Sequence, residues 1–314
     1  MTQQPSTRAT VPAAEGRRDQ YSFVDPRTAF AVIEPPVQQQ EEPGLQSRME
    51  PVPDLGETSY RGTGRLQGRR ALITGGDSGI GAATAIAFAR EGADVALSYL
   101  PEEQDDAEYV ASFVEAAGRR AVLLPVDLGE EGAPAALVAR AVEALGGLDA
   151  VVNVAGRQIQ QPELEQLGAE QFAATFRVNV FATFEIVQAA LPHLPAGSTI
   201  VNTASAEAYQ PAPDRIDYAA TKGAINNLSK GLAQQLVERG IRVNVVAPGP
   251  TWTVLQPTQG VDPEELPEFG ASEAPLGRAA QPAEIAPAYV FLTSAESAFV
   301  VGATLNVNGG MPTP

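Results

Sequence analysis

A glycine-rich turn between an apolar segment and a helical segment is the feature that most constrains the fold. The segment Ala71-Leu-Ile-Thr74 runs into Gly75-Gly-Asp-Ser-Gly79-Ile-Gly81, and residues 82–91 then have helical spacing. Glycines let a backbone turn tightly and approach a pyrophosphate, which the free N–H groups of a helix N-terminus attract. A Walker loop would continue with Lys and Ser or Thr, whereas this turn continues with Ala82. We therefore predict a dinucleotide-binding turn.

Strands and helices alternate along the rest of the chain. Predicted strands cover residues 93–99, 121–126, 148–154, 198–203, 241–246 and 304–307. Predicted helices cover residues 82–91, 105–118, 135–146, 169–194, 218–240 and 282–294. Alternation with near-continuously apolar strands is typical of a parallel sheet covered on both faces. We predict one α/β domain over residues 66–314, a Rossmann-type doubly wound parallel sheet in three α/β/α layers.

Residues 1–65 differ from this pattern. They are rich in Pro, Gln, Glu and Arg and show no sustained periodicity, which predicts an extended or partly disordered N-terminal arm. Apolar residues in the second half of this arm could attach it to the folded body; they are Met49, Val52, Leu55 and Tyr60.

Composition excludes several classes of function. The net charge of −17 repels phosphate backbones, so we expect no nucleic-acid partner. The absence of Cys excludes disulfides and thiolate chemistry, and the one His, His193 at a predicted helix end, excludes a His-rich zinc site. We predict no metal. Without a long apolar run or a signal-like N-terminus, we expect no membrane partner and a cytoplasmic location.

Tyr218 and Lys222 are four residues apart, so on a helix they lie on one face, one turn apart. The chain has only two Lys, and one of them is here. An ammonium beside a phenol favours the phenolate and lowers its pKa from about 10. We predict that Tyr218 exchanges a proton near neutral pH.

These residues together resemble the short-chain dehydrogenase/reductase family. Thr74-Gly75-x3-Gly79-x-Gly81 is similar to its cofactor loop, Asn153-x-Ala155-Gly156 to its Asn-Asn-Ala-Gly motif, and Ser205 precedes Tyr218 by the family's interval. The arm segment Pro51-Val-Pro-Asp-Leu-Gly, with Ala208-Tyr-Gln-Pro, resembles the N-terminally extended, general-stress-protein-like branch.

The resemblance implies hydride transfer between a nicotinamide and an alcohol or carbonyl. It implies that Tyr218 is the general acid/base and that Lys222 lowers its pKa and binds the nicotinamide ribose. Ser205 would bond the substrate oxygen, and Asn179 would hold a water that connects Lys222 to solvent. The implied cofactor-binding residues are Gly75, Asp77, Ser78, Gly79, Ile80, Gly81, Tyr99, Asp127, Leu128, Asn153, Ala155, Gly156, Tyr218, Lys222, Pro248, Gly249, Thr251 and Thr253.

Two positions depart from the family pattern. Val154 replaces the second Asn of the Asn-Asn-Ala-Gly motif, and Tyr99 stands where an acid would bind the adenosine ribose. Residues 100–118 contain six acids and no Lys or Arg before Arg119, a field that would repel a 2′-phosphate. We therefore favour NAD over NADP. The family also implies a homotetramer.

The irregular segment 250–277 is the predicted substrate lid. Its acids are Asp262, Glu264, Glu265, Glu268 and Glu273, so we expect a small neutral alcohol, aldehyde, ketone or sugar rather than an anion. Trp252 is either an apolar wall over the substrate or a buried packing residue.

Three other interpretations remain. A non-catalytic dinucleotide-binding or regulatory protein would not need the whole set of Asn179, Ser205, Tyr218 and Lys222. An extended-type sugar epimerase or dehydratase needs a sizeable C-terminal substrate domain, and only about 90 residues follow Lys222. The arm could have a structural or assembly role in an enzyme, for example by contacting a neighbouring subunit.

Overall fold

A seven-stranded parallel sheet forms the centre of the protein. The structure is a computed structural model and describes residues 19–313. The strands follow the order β3-β2-β1-β4-β5-β6-β7, and each pair of neighbours is parallel. Their bounds are β1 Arg70–Thr74, β2 Asp94–Tyr99, β3 Ala121–Pro125, β4 Ala150–Asn153, β5 Thr199–Thr203, β6 Arg242–Pro248 and β7 Thr304–Val307.

Helices cover both faces of this sheet. Their bounds are α1 Gly79–Arg90, α2 Gln104–Ala116, α3 Ala133–Leu145, α4 Ala169–Phe176, α5 Ala182–Ala190, α6 Ile216–Leu236 and α7 Pro282–Thr293. Helices α1, α2 and α7 share one buried apolar cluster with Ile73, and α3, α5 and α6 share another with Leu72. Successive strand residues point to opposite faces, so the predicted three-layer, doubly wound fold is confirmed. No helix within the described residues is long and apolar enough to cross a membrane.

The predicted helix over residues 169–194 is interrupted. It consists of α4, a π-helical turn Arg177–Phe181, α5 and a 3₁₀ turn Leu191–His193. Hydrophobic spacing cannot reveal a single extra residue in a helical turn, and such π turns are frequent at functional sites. This one carries Asn179, which is fully buried.

The ligand-binding crevice of such a fold lies where the strand order reverses, here between β1 and β4. The Thr74 hydroxyl, at the end of β1, accepts the N–H groups of Val154 at 3.0 Å and Ala155 at 3.1 Å. A Cβ on Gly75 would lie 3.1 Å from the Cα of Ala155, and Gly75 has a φ of +62°. A glycine at this position therefore lets the two chain segments meet directly beyond the strand ends.

The described part of the arm packs on the folded body. Trp252 donates its indole N–H to the Pro51 carbonyl at 2.8 Å and packs with Ile33 and Met49 of the arm. Trp252 is fully buried, so the packing alternative is right and the apolar wall over substrate is wrong. Residues 1–18 of the predicted arm lie outside the described residues, and the boundary at residue 65 stays a prediction.

Glu91, directly after α1, is a second attachment point of the arm. Its buried carboxylate accepts the Tyr60 hydroxyl at 2.8 Å, the Thr63 N–H at 2.8 Å and the Arg65 guanidinium at 2.6 Å. Burial raises the pKa of Glu91, but these hydrogen bonds outweigh burial and lower the pKa from 4.5 to about 2. The charged carboxylate therefore stabilises the folded state.

We predict that Glu91→Gln lowers the free energy of unfolding by about 2–4 kcal/mol at neutral pH, because it removes the charge of a buried ion pair and replaces one acceptor oxygen with a donor. Since the folded pKa lies below the unfolded one, this stabilisation is complete above about pH 4.5 and is lost as pH falls toward about 2. Urea unfolding at several pH values measures it. Glu296→Gln is the matched control, because Glu296 is an exposed partner of the same Arg65. Equal effects of the two variants would contradict the assignment.

Candidate active site

A cavity of about 690 Å³ lies along the carboxyl ends of the strands. Most of the predicted site residues line it. They are Gly75, Asp77, Ser78, Gly79, Ile80, Gly81, Tyr99, Asp127, Leu128, Ala155, Gly156, Ser205, Tyr218, Lys222, Pro248, Gly249, Thr251 and Thr253. The two predicted residues that do not line the cavity are Asn153 and Asn179.

The glycine turn forms one wall of this cavity. Helix α1 begins at Gly79, which has a φ of +49°. A Cβ on Gly81 would lie 1.8 Å from the carbonyl oxygen of Gly75, so the helix can begin this close to β1 only with glycine there. The turn leaves space above a helix N-terminus whose N–H groups and dipole favour an anion. Its shape therefore fits a pyrophosphate.

A buried acidic group lies at the β2 end of the cavity. One carboxylate oxygen of Asp77 is buried without a hydrogen-bond partner, and Glu103 accepts the Leu100 N–H at 2.8 Å. Burial raises the pKa of Asp77 to about 6; burial and the Asp77 charge together raise the pKa of Glu103 to about 8. The Tyr99 hydroxyl donates to Gln104 at 2.6 Å. This end of the cavity is therefore rich in hydrogen-bonding groups and carries no cation from β2.

The reacting groups predicted from sequence come together at the end of β5. Tyr218 and Lys222 lie in the first two turns of α6, with the Lys222 ammonium 5.2 Å from the centre of the Tyr218 ring. Lys222 donates to the Thr203 carbonyl at 3.1 Å. Ser205 follows β5, and its hydroxyl interacts with Tyr218 by a side-chain hydrogen bond. A phenol, an ammonium and a hydroxyl thus share one buried corner of the cavity.

Burial dominates the electrostatics of this corner. Burial raises the pKa of Tyr218 and the Glu207 carboxylate raises it further, whereas the hydrogen bond from Ser205 lowers it. Burial lowers the pKa of Lys222 to about 8. The expected lowering of the Tyr218 pKa by Lys222 is therefore wrong for this arrangement, because burial, which disfavours the phenolate, is the largest influence on this pKa and raises it. Tyr218 is held as a protonated phenol.

Asn179 and Asn153 shape the site from outside the cavity. Asn179 accepts the Arg157 N–H at 2.7 Å and donates to the Arg157 carbonyl at 2.9 Å and to Thr221 at 3.0 Å. It thereby fixes the segment after β4 against α6. Asn153 donates to Asn202 at 2.8 Å, inside the sheet. Asn153 does not line the cavity, and its contact with a cofactor stays a prediction.

Sequence reasoning missed several cavity residues. Glu42, Pro43 and Gly44 of the arm line the cavity, and Glu42 pairs with Arg157 at 3.1 Å. Gln46 accepts the Gly79 N–H at 2.7 Å, so the arm touches the glycine turn itself. These contacts join residues far apart in sequence, and no local pattern indicates them.

The predicted lid lines the cavity mainly with uncharged residues, and few of its acids reach it. Of its acids, Glu273 lines this cavity, and Asp262 lines a separate cavity of about 610 Å³. Glu207 and Arg215 also line the main cavity beside the reacting groups. In the sequence, the position of Glu207 two residues after Ser205 is the one feature that could have indicated its place in this cavity.

Among residues 19–313, no group of three or more His, Cys, Asp or Glu is arranged to hold a metal ion.

Residues 75–312 match the family described as enoyl-(acyl carrier protein) reductase. The chain belongs to the short-chain dehydrogenase/reductase family and is an oxidoreductase of that type. It is 54% identical to the uncharacterized oxidoreductase YghA of Escherichia coli, over 91% of this chain and 97% of that protein. General stress protein 39 of Bacillus subtilis is 45% identical, over 87% and 94%. This relative supports the predicted branch.

Two further similarities bear on ligands. The glucose and ribitol dehydrogenase of Daucus carota is 42% identical, over 88% of this chain and 96% of that protein. A short-chain dehydrogenase from Burkholderia cenocepacia, solved in complex with NADP, superposes with a TM-score of 0.72 at 38% identity, over 78% of this chain and 98% of that one.

We predict that Gly81→Ala abolishes dinucleotide binding, because the new methyl group would lie against the Gly75 carbonyl and push α1 away from β1. Equilibrium titration with NAD and NADP measures this. Gly231→Ala is the control: Gly231 is an exposed glycine of α6 with no atom near its absent Cβ, and the change should raise stability by up to about 1 kcal/mol. Retained binding in Gly81→Ala would contradict the role of the glycine turn.

Proposed function

We propose that this protein is an NAD(P)-dependent oxidoreductase that interconverts an alcohol and a carbonyl group of a small neutral substrate. The observation that carries the proposal is the burial of Tyr218 and Lys222 with the Ser205 hydroxyl in the same cavity as the glycine turn. A regulatory dinucleotide-binding protein would not need a protonated phenol, a hydroxyl and an amine at one point. The NADP-bound relative supports the same class of cofactor.

The lining residues fit such a cofactor. A nicotinamide dinucleotide supplies or accepts the hydride when it is bound. The Gly79–Gly81 turn would hold its pyrophosphate, and Asp127 and Leu128 would contact the adenine. Pro248 and Gly249 would lie on the nicotinamide side, where a Cβ on Gly249 would meet the backbone of Asn308 at 2.7 Å.

Tyr218 carries the proton chemistry in this proposal. Because its phenol is protonated, it can donate a proton to a carbonyl oxygen during reduction, and the reverse reaction returns that proton to the phenolate. The Ser205 hydroxyl donates a hydrogen bond to the same oxygen as negative charge develops there. Lys222, with a pKa of about 8, can exchange a proton near neutral pH. Asn179 keeps the segment around Gly156 and Arg157 in place beside Lys222.

The charges of the cavity favour a neutral substrate. Its carboxylates are Glu42, Asp77, Glu103, Asp127, Glu130, Glu207 and Glu273, and its cations are Arg157, Arg177, Arg215 and Lys222. Each of the three arginines is paired with a carboxylate. An anionic substrate would therefore meet a surplus of negative charge. The carrot glucose and ribitol dehydrogenase supports a sugar or polyol.

We also propose NAD as the preferred cofactor, since Glu103 and Asp77 face the place where a 2′-phosphate would lie. The relative solved with NADP indicates that members of the family can also bind NADP.

We propose a homotetramer in the cytoplasm, by resemblance to the family. The half-exposed side chains of Phe181 and Phe184 around α5 support a subunit interface there.

We predict that Tyr218→Phe lowers kcat by at least about 10³-fold, because the proton donor is lost, while the dissociation constant for the cofactor changes by less than about threefold. Stopped-flow nicotinamide absorbance and a binding titration measure the two quantities. Tyr209→Phe is the control, since the Tyr209 hydroxyl bonds Asn226 at 2.9 Å and lies outside the cavity. Turnover that survives in Tyr218→Phe would refute the assignment.

We predict that Glu103→Gln raises kcat/KM for NADP relative to NAD about three- to tenfold above about pH 8, where the wild-type carboxyl is ionised and repels a 2′-phosphate. Below that pH the two proteins should converge, because Glu103 is protonated. Glu102→Gln, an exposed neighbour outside the cavity, is the control. A ratio that is the same in all three proteins at every pH would rule out Glu103 as the discriminating residue.

A further inference from the structure

The cavity contains a carboxylate that the proposed proton transfer does not use. Glu207 lies in the 3₁₀ turn Ala206–Ala208, two residues after Ser205, and its backbone N–H donates to the Ser205 hydroxyl at 3.1 Å. Its side chain lines the cavity and is about 15% exposed. Both the main chain and the side chain of Glu207 therefore lie at the part of the cavity that holds Ser205, Tyr218 and Lys222.

One half of this carboxylate is without a partner. Oε1 of Glu207 lies 3.5 Å from the guanidinium of Arg215, whereas Oε2 is buried and has no hydrogen bond. A buried acceptor that is left without a hydrogen bond destabilises the protein, and more so when the group is charged. The last side-chain torsion of Glu is soft, so the carboxylate can turn Oε2 toward the cavity, where a ligand hydroxyl that donates to it would remove this destabilisation.

The surroundings of Glu207 determine what kind of ligand fits. Glu207 lines the same cavity as Tyr218 and Lys222, and its charge raises the pKa of both. Arg215, which also interacts with Asp214, forms an ion pair with Glu207, and Glu273 of the predicted lid adds a further negative charge. An anion is disfavoured here. A neutral donor can bond Oε2, and an adjacent oxygen can accept from Arg215.

We propose that Glu207, positioned by Arg215, binds a second hydroxyl of the substrate, next to the carbon whose oxygen is held by Tyr218 and Ser205. The inference rests on the proposed function and deepens it: the substrate is a neutral compound with vicinal hydroxyls, a polyol or sugar. A monofunctional alcohol has its single oxygen at Tyr218 and leaves Oε2 unsatisfied. A site built to bond a hydroxyl discriminates strongly against an analogue that lacks it.

The test compares a vicinal diol, or a linear polyol such as ribitol, with a monofunctional alcohol of similar length. In the wild type, kcat/KM for the polyol should exceed that for the monofunctional alcohol by at least about tenfold. In Glu207→Gln this ratio should fall at least about tenfold, with most of the loss in KM for the polyol. Glu264→Gln, an exposed lid acid outside the cavity, is the matched control and should keep the wild-type ratio.

The pH dependence of the same ratio adds a second readout. Burial raises the pKa of Glu207 to about 7, with Asp214 and Glu273 raising it and Arg215 lowering it. The ratio in the wild type should therefore rise between about pH 6 and about pH 8, as the carboxyl becomes a full acceptor. Titration of Tyr218 and Lys222 affects both substrates and cancels in the ratio. In Glu207→Gln the ratio should be flat with pH.

A structural or purely electrostatic role predicts a different outcome. If Glu207→Gln lowers kcat/KM equally for both substrates and leaves their ratio unchanged, Glu207 acts only on Tyr218 and the proposal is wrong. Calorimetric titration of ribitol into the protein with NAD distinguishes a failure of the hydroxyl site from a failure of the proposed function. If no alcohol is turned over, weaker ribitol binding in Glu207→Gln still supports the hydroxyl site, and equal binding overturns it.

Discussion

The site depends on the contact between the ends of β1 and β4, at the point where the strand order of the sheet reverses. One hydroxyl, that of Thr74, accepts the N–H groups of both Val154 and Ala155, and Gly75 allows the backbones to meet. This contact places the glycine turn after β1 beside the segment after β4. Asn179, in its π turn, then bonds Arg157 and Thr221 and connects that segment to α6. The phenol and amine of α6 and the glycine turn thereby line one cavity.

The arm is the second element that determines the site. It is held by buried polar contacts at Trp252 and Glu91, and ahead of these contacts in the chain it reaches the glycine turn through Gln46. Residues 42–44 consequently form part of the cavity wall. An extension that looks unstructured by composition therefore shapes the same space as the sheet. A polar tail lacks the apolar surface to fold alone, but a few apolar and hydrogen-bonding residues can dock it on a preformed body.

Sequence reasoning predicted the features that are encoded locally. Alternating strands and helices, the glycine turn and the Tyr218–Lys222 pair all follow from short-range spacing, and the fold is confirmed. The π turn around Asn179 was not predicted, because residues 169–194 were interpreted as one continuous helix and π turns are rare. The Glu42–Arg157 ion pair was not predicted, because it joins residues that are distant in sequence. The pKa of Tyr218 was expected in the wrong direction, since sequence spacing shows the nearby amine but not the extent of burial.

We propose that a neutral alcohol gives up a hydride and a proton at this cavity. Deuterium can be followed from a neutral polyol labelled at its carbinol carbons, with mass spectrometry of the nicotinamide after a single turnover. We expect one deuterium on each reduced nicotinamide and a carbonyl group in the product. Deuterium that remains in the sugar while the nicotinamide returns to its starting redox state would contradict it, and would indicate an epimerase or dehydratase instead.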